Sequence, residues 1–146
     1  MNSPALMGCG TPPAELIRSL EESLKEIREE VEQLDFSKLP YVEITNRDVS
    51  KQLASHPAVY LLIENAKYGP HVLYVGKTVN LHSRWHVPKR NLLGGEHKCL
   101  GRCIKRFEQH GVPIRLAWLQ LDRQFIAATE MLLINIWNPP WNKQKA

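Results

Sequence analysis

Three observations in this chain predict a small α+β domain. Ala58-Val59-Tyr60-Leu61-Leu62-Ile63 and Leu73-Tyr74-Val75 are β-type runs, separated by Asn65-Ala66-Lys67-Tyr68-Gly69-Pro70-His71. Gly69-Pro70 is turn chemistry, so the two runs read as a hairpin. A further run, Ile114 to Leu121, adds a third strand, with helical patterns on either side of it. The order ββαβα behind an N-terminal amphipathic helix predicts a small three-stranded antiparallel sheet flanked by helices.

Three segments are expected: a lead over 1–13, a helix and connector over 14–57, and the sheet domain over 58–146. Pro4, Pro12, Pro13, Gly8 and Gly10 make the first a flexible lead. Ile17, Leu20, Leu24, Ile27, Val31 and Leu34 then step by threes and fours, the seam of a helix near 14–35. That seam suits either a coiled-coil partner or a stripe laid on the neighbouring domain. In a parallel pair Glu30 would face Asp35, which repels. In the connector, Tyr41-Val42-Glu43-Ile44-Thr45 alternates like a short strand, and Asn46 is placed to cap a brief helix reaching about Ser55.

Past the hairpin, Asn80 is positioned to cap a short helix carrying Arg84. Lys89 to Gly95 is a basic, glycine-rich loop suited to a phosphate backbone. A helix from Lys98 to His110 turns Leu100, Cys103, Ile104 and Phe107 inward and ends at Gly111 and Pro113. Asp122 is expected to cap a last helix of about fifteen residues, broken by Asn138-Pro139-Pro140.

Composition is that of an ordinary globular chain, 43% hydrophobic and 23% charged. No apolar run approaches the roughly 18 residues of a spanning helix. Cys9, Cys99 and Cys103 are few and odd in number, as expected of reduced thiols in a cytoplasmic protein. Charge is unevenly placed. Residues 1–57 hold 6 basic and 10 acidic side chains, and residues 58–146 hold 13 basic and 5 acidic. The basic excess lies with the hairpin, and nucleic acid is the commonest partner of such a surface.

Several side chains exceed what a core requires. Tyr60 and Tyr74 sit one on each hairpin strand, with Lys77 and Arg84 just beyond. A phenol stays protonated near neutral pH unless a cation or metal lowers its pKa, and Lys77 is placed to supply that cation. Glu130 shares a helix face with Ile126, Leu133 and Trp137. A carboxylate on an apolar face costs several kcal/mol, by order of magnitude, unless it meets a cation, a donor or a metal. On the residues alone, a structural ion pair with a basic residue such as Arg84 stays open. A zinc site on His97, Cys99 and Cys103 lacks an apparent fourth ligand.

Ala58-Val59-Tyr60 and Tyr74-Val75-Gly76, followed by Lys77, Leu81 and Arg84, resemble the signature of the GIY-YIG nucleases. Alanine and valine stand where the family most often has glycine and isoleucine, and the tyrosine is kept. The resemblance runs over about residues 58–142. It implies a divalent-metal-dependent endonuclease that hydrolyses DNA phosphodiester bonds through a single-metal site. Glu130 matches the metal ligand, for Mg²⁺ or Mn²⁺. Tyr60, or a water it orients, matches the base, and Tyr74 holds water or phosphate. Arg84 matches the arginine that stabilises developing charge. His97, or its competitor His86, matches a histidine found in some members. Asn142 matches a polar residue that closes the site after the last helix.

The implied partner is duplex or branched DNA, in repair, branch resolution, restriction or intron homing, with no membrane. A dimer or a partner protein would use helix 14–35. A reading from another class is a non-catalytic nucleic-acid-binding module that keeps the fold. The altered Ala58-Val59 pair and the lack of an obvious DNA-reading domain motivate it.

Overall fold

The structure, a computed structural model, describes residues 13–87 and 98–142. The lead before Pro13, the loop Lys89 to Gly95 and His97 lie outside the described residues. The chain divides into two compact units, residues 1–34 and 35–146.

In the first unit, Pro13 precedes a helix, α1, over Ala14–Glu32. It stops short of residue 35 because Gln33 takes a non-helical conformation and its N–H turns back to the last carbonyls. Asp35 is engaged elsewhere, accepting a hydrogen bond from the Ser37 N–H at 3.0 Å. No residue of α1 is buried.

The second unit is α+β around a four-stranded antiparallel sheet, one strand more than expected. The strands are β1 (Tyr41–Ile44), β2 (Ala58–Ala66), β3 (Gly69–Thr78) and β4 (Ile114–Gln120), in spatial order β1-β4-β2-β3. The additional strand comes from the connector. Val42 and Ile44 are buried while Tyr41 and Glu43 are exposed, and the alternation docks β1 beside β4, Tyr41 opposite Ala117. The next segment makes a 3₁₀ turn at Val49–Gln52 in place of the brief helix, because Asn46 Oδ1 accepts the Asp48 N–H and closes a local turn.

The hairpin is tighter than the polar run suggested. Ala66 pairs with Gly69 across Lys67-Tyr68, and Gly69, at φ 113°, takes a conformation that disfavours side chains. Pro70 then lies in β3, tolerated because β3 is an edge strand with one side unpaired. A bulge between Leu62 and Ile63 shifts the register and leaves Leu73 unpaired.

Asn80 caps α2 (Leu81–Trp85), its side chain accepting the Ser83 N–H at 3.0 Å. Helix α3 spans Lys98–His110, with Leu100 and Cys103 buried. Its end is marked by Gly111 at φ 73°. Asp122 makes no capping hydrogen bond. A 3₁₀ turn, Arg123–Phe125, intervenes and shortens the last helix, α4, to Ile126–Trp137. Asn138 closes it in the left-handed conformation.

The principal core lies on one face of the sheet, where Tyr60 and Leu62 meet Leu81 and Trp85 of α2 and Leu100 and Cys103 of α3. Helix α4 packs on β2 and β3 and buries Ile126 and Leu133 outside that cluster.

Candidate functional site at the β3 edge

Strand alternation divides the candidates between two faces. Tyr60 is cross-strand partner to Gly76, and Tyr74 to Leu62, so both phenols lie on the core face. Lys77 pairs with Val59 and points to the other face.

On the core face Tyr60 is 1% exposed, with Trp85 edge-on to its ring at 5.3 Å between centroids. Tyr74 lies 6.1 Å away, ring to ring, and is half-buried. The Arg84 guanidinium stands 5.8 Å from the Tyr60 ring centroid and 5.6 Å from that of Trp85. Burial pushes the Tyr60 phenol well above the ordinary tyrosine range, and Arg84, close by and hydrogen-bonded to it, offsets only part of this. Tyr74 is also raised, chiefly by burial, with a hydrogen bond to Tyr60 acting the other way. The cation facing the Tyr60 phenol is therefore Arg84 and not Lys77. The phenol that meets solvent is Tyr74.

Lys77 is engaged on the opposite face. Its Nζ lies 3.7 Å from Glu130 Oε1, a pair in which the lysine is half exposed and the glutamate mostly covered. Glu130 sits on α4 between Ile126 and Leu133, as the helical spacing required, and its cation is Lys77. The two faces meet at the strand edge, where Tyr74 feels both the Arg84 charge and that of Glu130. Glu130 is the one carboxylate among the described candidates, an oxygen donor of the type that Mg²⁺ or Mn²⁺ accepts alongside water.

Asn142 acts on backbone. Its Oδ1 accepts the Val75 N–H and its Nδ2 donates to the Val75 carbonyl, both at 2.9 Å. Val75 lies between Tyr74 and Gly76, so this pair of bonds completes the open edge of β3 where the site residues emerge. Trp141, buried beside it, has the Arg102 guanidinium 4.0 Å from its ring centroid. His86 lies 3.5 Å, Nδ1 to Oγ, from Ser50 and stacks on His82 at 5.7 Å.

Cys99 belongs to the core-face cluster and sequence reasoning did not place it there. Burial raises its thiol, and Arg84 and Arg102 act against that rise, Arg84 also through a hydrogen bond. Only the contact with Arg84 identifies it, and no spacing in the sequence encodes that contact. Among the described residues no three His, Cys, Asp or Glu side chains gather as a metal-binding group. Arg106 of α3 is bound to Glu64 of β2. A cavity of about 240 Å³ lies elsewhere, lined by residues that include Phe36, Tyr41, Ile63, Pro70 and Arg115, and none of the candidates borders it. No helix among the described residues is long and apolar enough to cross a membrane.

No protein-family model, no curated protein and no solved structure matches the chain.

Proposed function

We propose that the chain is a divalent-metal-dependent endonuclease of the GIY-YIG type that hydrolyses DNA phosphodiester bonds. One observation carries this reading. Tyr60, Tyr74 and Arg84 cluster on one face of β3 and the Lys77–Glu130 pair on the other, with Tyr74 sensing both. A packed core has no need of this set at one strand edge.

DNA would lie along that edge, attracted by the basic excess of residues 58–146. Glu130 would hold Mg²⁺ or Mn²⁺, a Lewis acid for the scissile phosphate and the leaving oxygen. One carboxylate fits such an ion, because Mg²⁺ keeps several waters and takes one or two protein carboxylates. Lys77 competes for that carboxylate and, once displaced, is free to meet a phosphate. Arg84 would donate to the phosphate oxygens as negative charge builds on them. Tyr60, buried and holding its proton, would anchor the cluster through its hydrogen bonds to Arg84 and Tyr74. Tyr74, reachable from solvent, would orient the attacking water, whose oxygen bonds the phosphorus as the bond to the leaving oxygen breaks and whose proton passes to solvent. That division takes from Tyr60 the base role that the resemblance implied and keeps for Tyr74 the holding of water.

The second reading, a nucleic-acid-binding module without catalysis, draws on the same geometry. Tyr60 is sealed from water and Glu130 already has a cation. One experiment separates the two readings. The full chain is incubated with supercoiled plasmid and with flapped and branched DNA, in Mg²⁺, in Mn²⁺ and in EDTA. Strand scission that requires the metal is the expected result. Salt-dependent binding with no scission on any substrate selects the module.

A further inference from the structure

Helix α1 presents Leu16, Ile17, Leu20, Leu24 and Ile27 to solvent, each between 39% and 57% exposed. Among the described residues of its own unit, this helix of 19 residues with an apolar stripe has nothing to pack against. We propose that α1 pairs with α1 of a second copy of this chain as an antiparallel coiled coil, with Leu24 set against Ile27 of the second copy.

The choice of occupant and of direction rests on the charges beside the seam. Within α1, Ile17, Leu24 and Val31 occupy the first core position of successive heptads, and Leu20 and Ile27 the second. In a parallel pair, positions flanking the seam meet five residues apart. Ser23 would then face Arg28 and Leu16 would face Glu21, while Asp35 lies beyond the end of α1, so no attraction results. In an antiparallel pair, residues just after the second core position face each other across the seam. The register that sets Leu24 against Ile27 of the second copy also sets Leu20 against its Val31, and it overlaps residues 19–32 of each helix. The same register sets Glu21 against Arg28 of the second copy, and symmetry makes that pair twice. Sliding by one heptad sets Glu21 against Glu21 in one direction and Arg28 against Arg28 in the other. Of these registers, the one with Leu24 on Ile27 is the one in which every such contact is attractive. Apolar burial then supplies the affinity, and the charges supply direction and register.

The test is the mass of the full chain in solution across a concentration series, by sedimentation. The wild type is expected to approach the mass of two chains, and Leu24→Glu to remain at one. Arg28→Glu, a surface change that leaves the helix intact, turns two attractions into two repulsions and should weaken association about tenfold. Adding Glu21→Arg to it restores the pair with its signs exchanged and should recover wild-type association. A wild type that stays monomeric overturns the proposal, whatever else the helix captures. So does a dimer indifferent to Leu24→Glu, which would be held elsewhere. A dimer that Arg28→Glu leaves unchanged, or that the double exchange fails to restore, contradicts the antiparallel register.

Discussion

The Tyr60 ring lies over the Cα of Gly76, its cross-strand partner, so closely that a Cβ there would stand under 3.0 Å from Cζ, Oη and Cε1. Glycine at the end of β3 is therefore required by the ring opposite and not by backbone conformation. Gly76→Ala should destabilise the fold by about 1–3 kcal/mol, the range for overpacking a filled core. Tyr60→Ala opens a cavity of its own, and the double variant should cost less than the sum of the two. Urea unfolding of the four proteins measures that coupling. Additive losses would mean that the ring and residue 76 do not compete for space.

Asn142 binds the backbone of Val75 through both ends of its amide. Asn142→Ala removes both partners from a part-buried edge and should cost about 1–3 kcal/mol. Asn142→Asp keeps an acceptor for the N–H but sets a carboxylate against the Val75 carbonyl, and it should not rescue stability. Thermal unfolding distinguishes these outcomes. A fully stable Asn142→Asp would show that the bond to the N–H alone suffices.

The buried Tyr60 phenol makes stability depend on alkaline pH. Its pKa is raised in the folded chain, so the stabilisation is fully present below the unfolded value of about 10. It is lost as pH rises above that value towards the folded one, because the unfolded chain releases the proton first. Wild-type stability should therefore fall more steeply above pH 10 than that of Tyr60→Phe, which keeps the ring and has no proton to lose. Denaturant midpoints through the alkaline range test this, and parallel curves would contradict it.

The chain showed its elements more openly than its pairings. Hairpin strands, the Asn80 cap and α3 follow from β-branched runs, an asparagine at the cap position and helical spacing, all local signals. The fourth strand was visible as an alternation at Tyr41–Ile44, but its place beside β4 depends on long-range pairing. Alternation alone could have set Lys77 on the face opposite Tyr60, since Gly76 is that tyrosine's cross-strand partner. It could not name Glu130 as the lysine's partner, because that contact requires α4 to pack on β3. Cys99 is the extreme case, brought to Arg84 by tertiary packing. The Tyr60 burial that raises its pKa arises from α2 and α3 together, and no window of sequence displays it.

Glu130 is the residue on which the proposed chemistry depends, and its removal is the most direct test. Cleavage of branched DNA by the wild type and by Glu130→Ala is compared in single turnover at one Mg²⁺ concentration, with DNA binding measured alongside. Loss of the metal ligand should lower the rate by about a hundredfold or more, while binding, carried by the basic surface, changes little. Cleavage by Glu130→Ala at the wild-type rate, or wild-type cleavage that persists in EDTA, would contradict a metal-dependent nuclease built on this carboxylate.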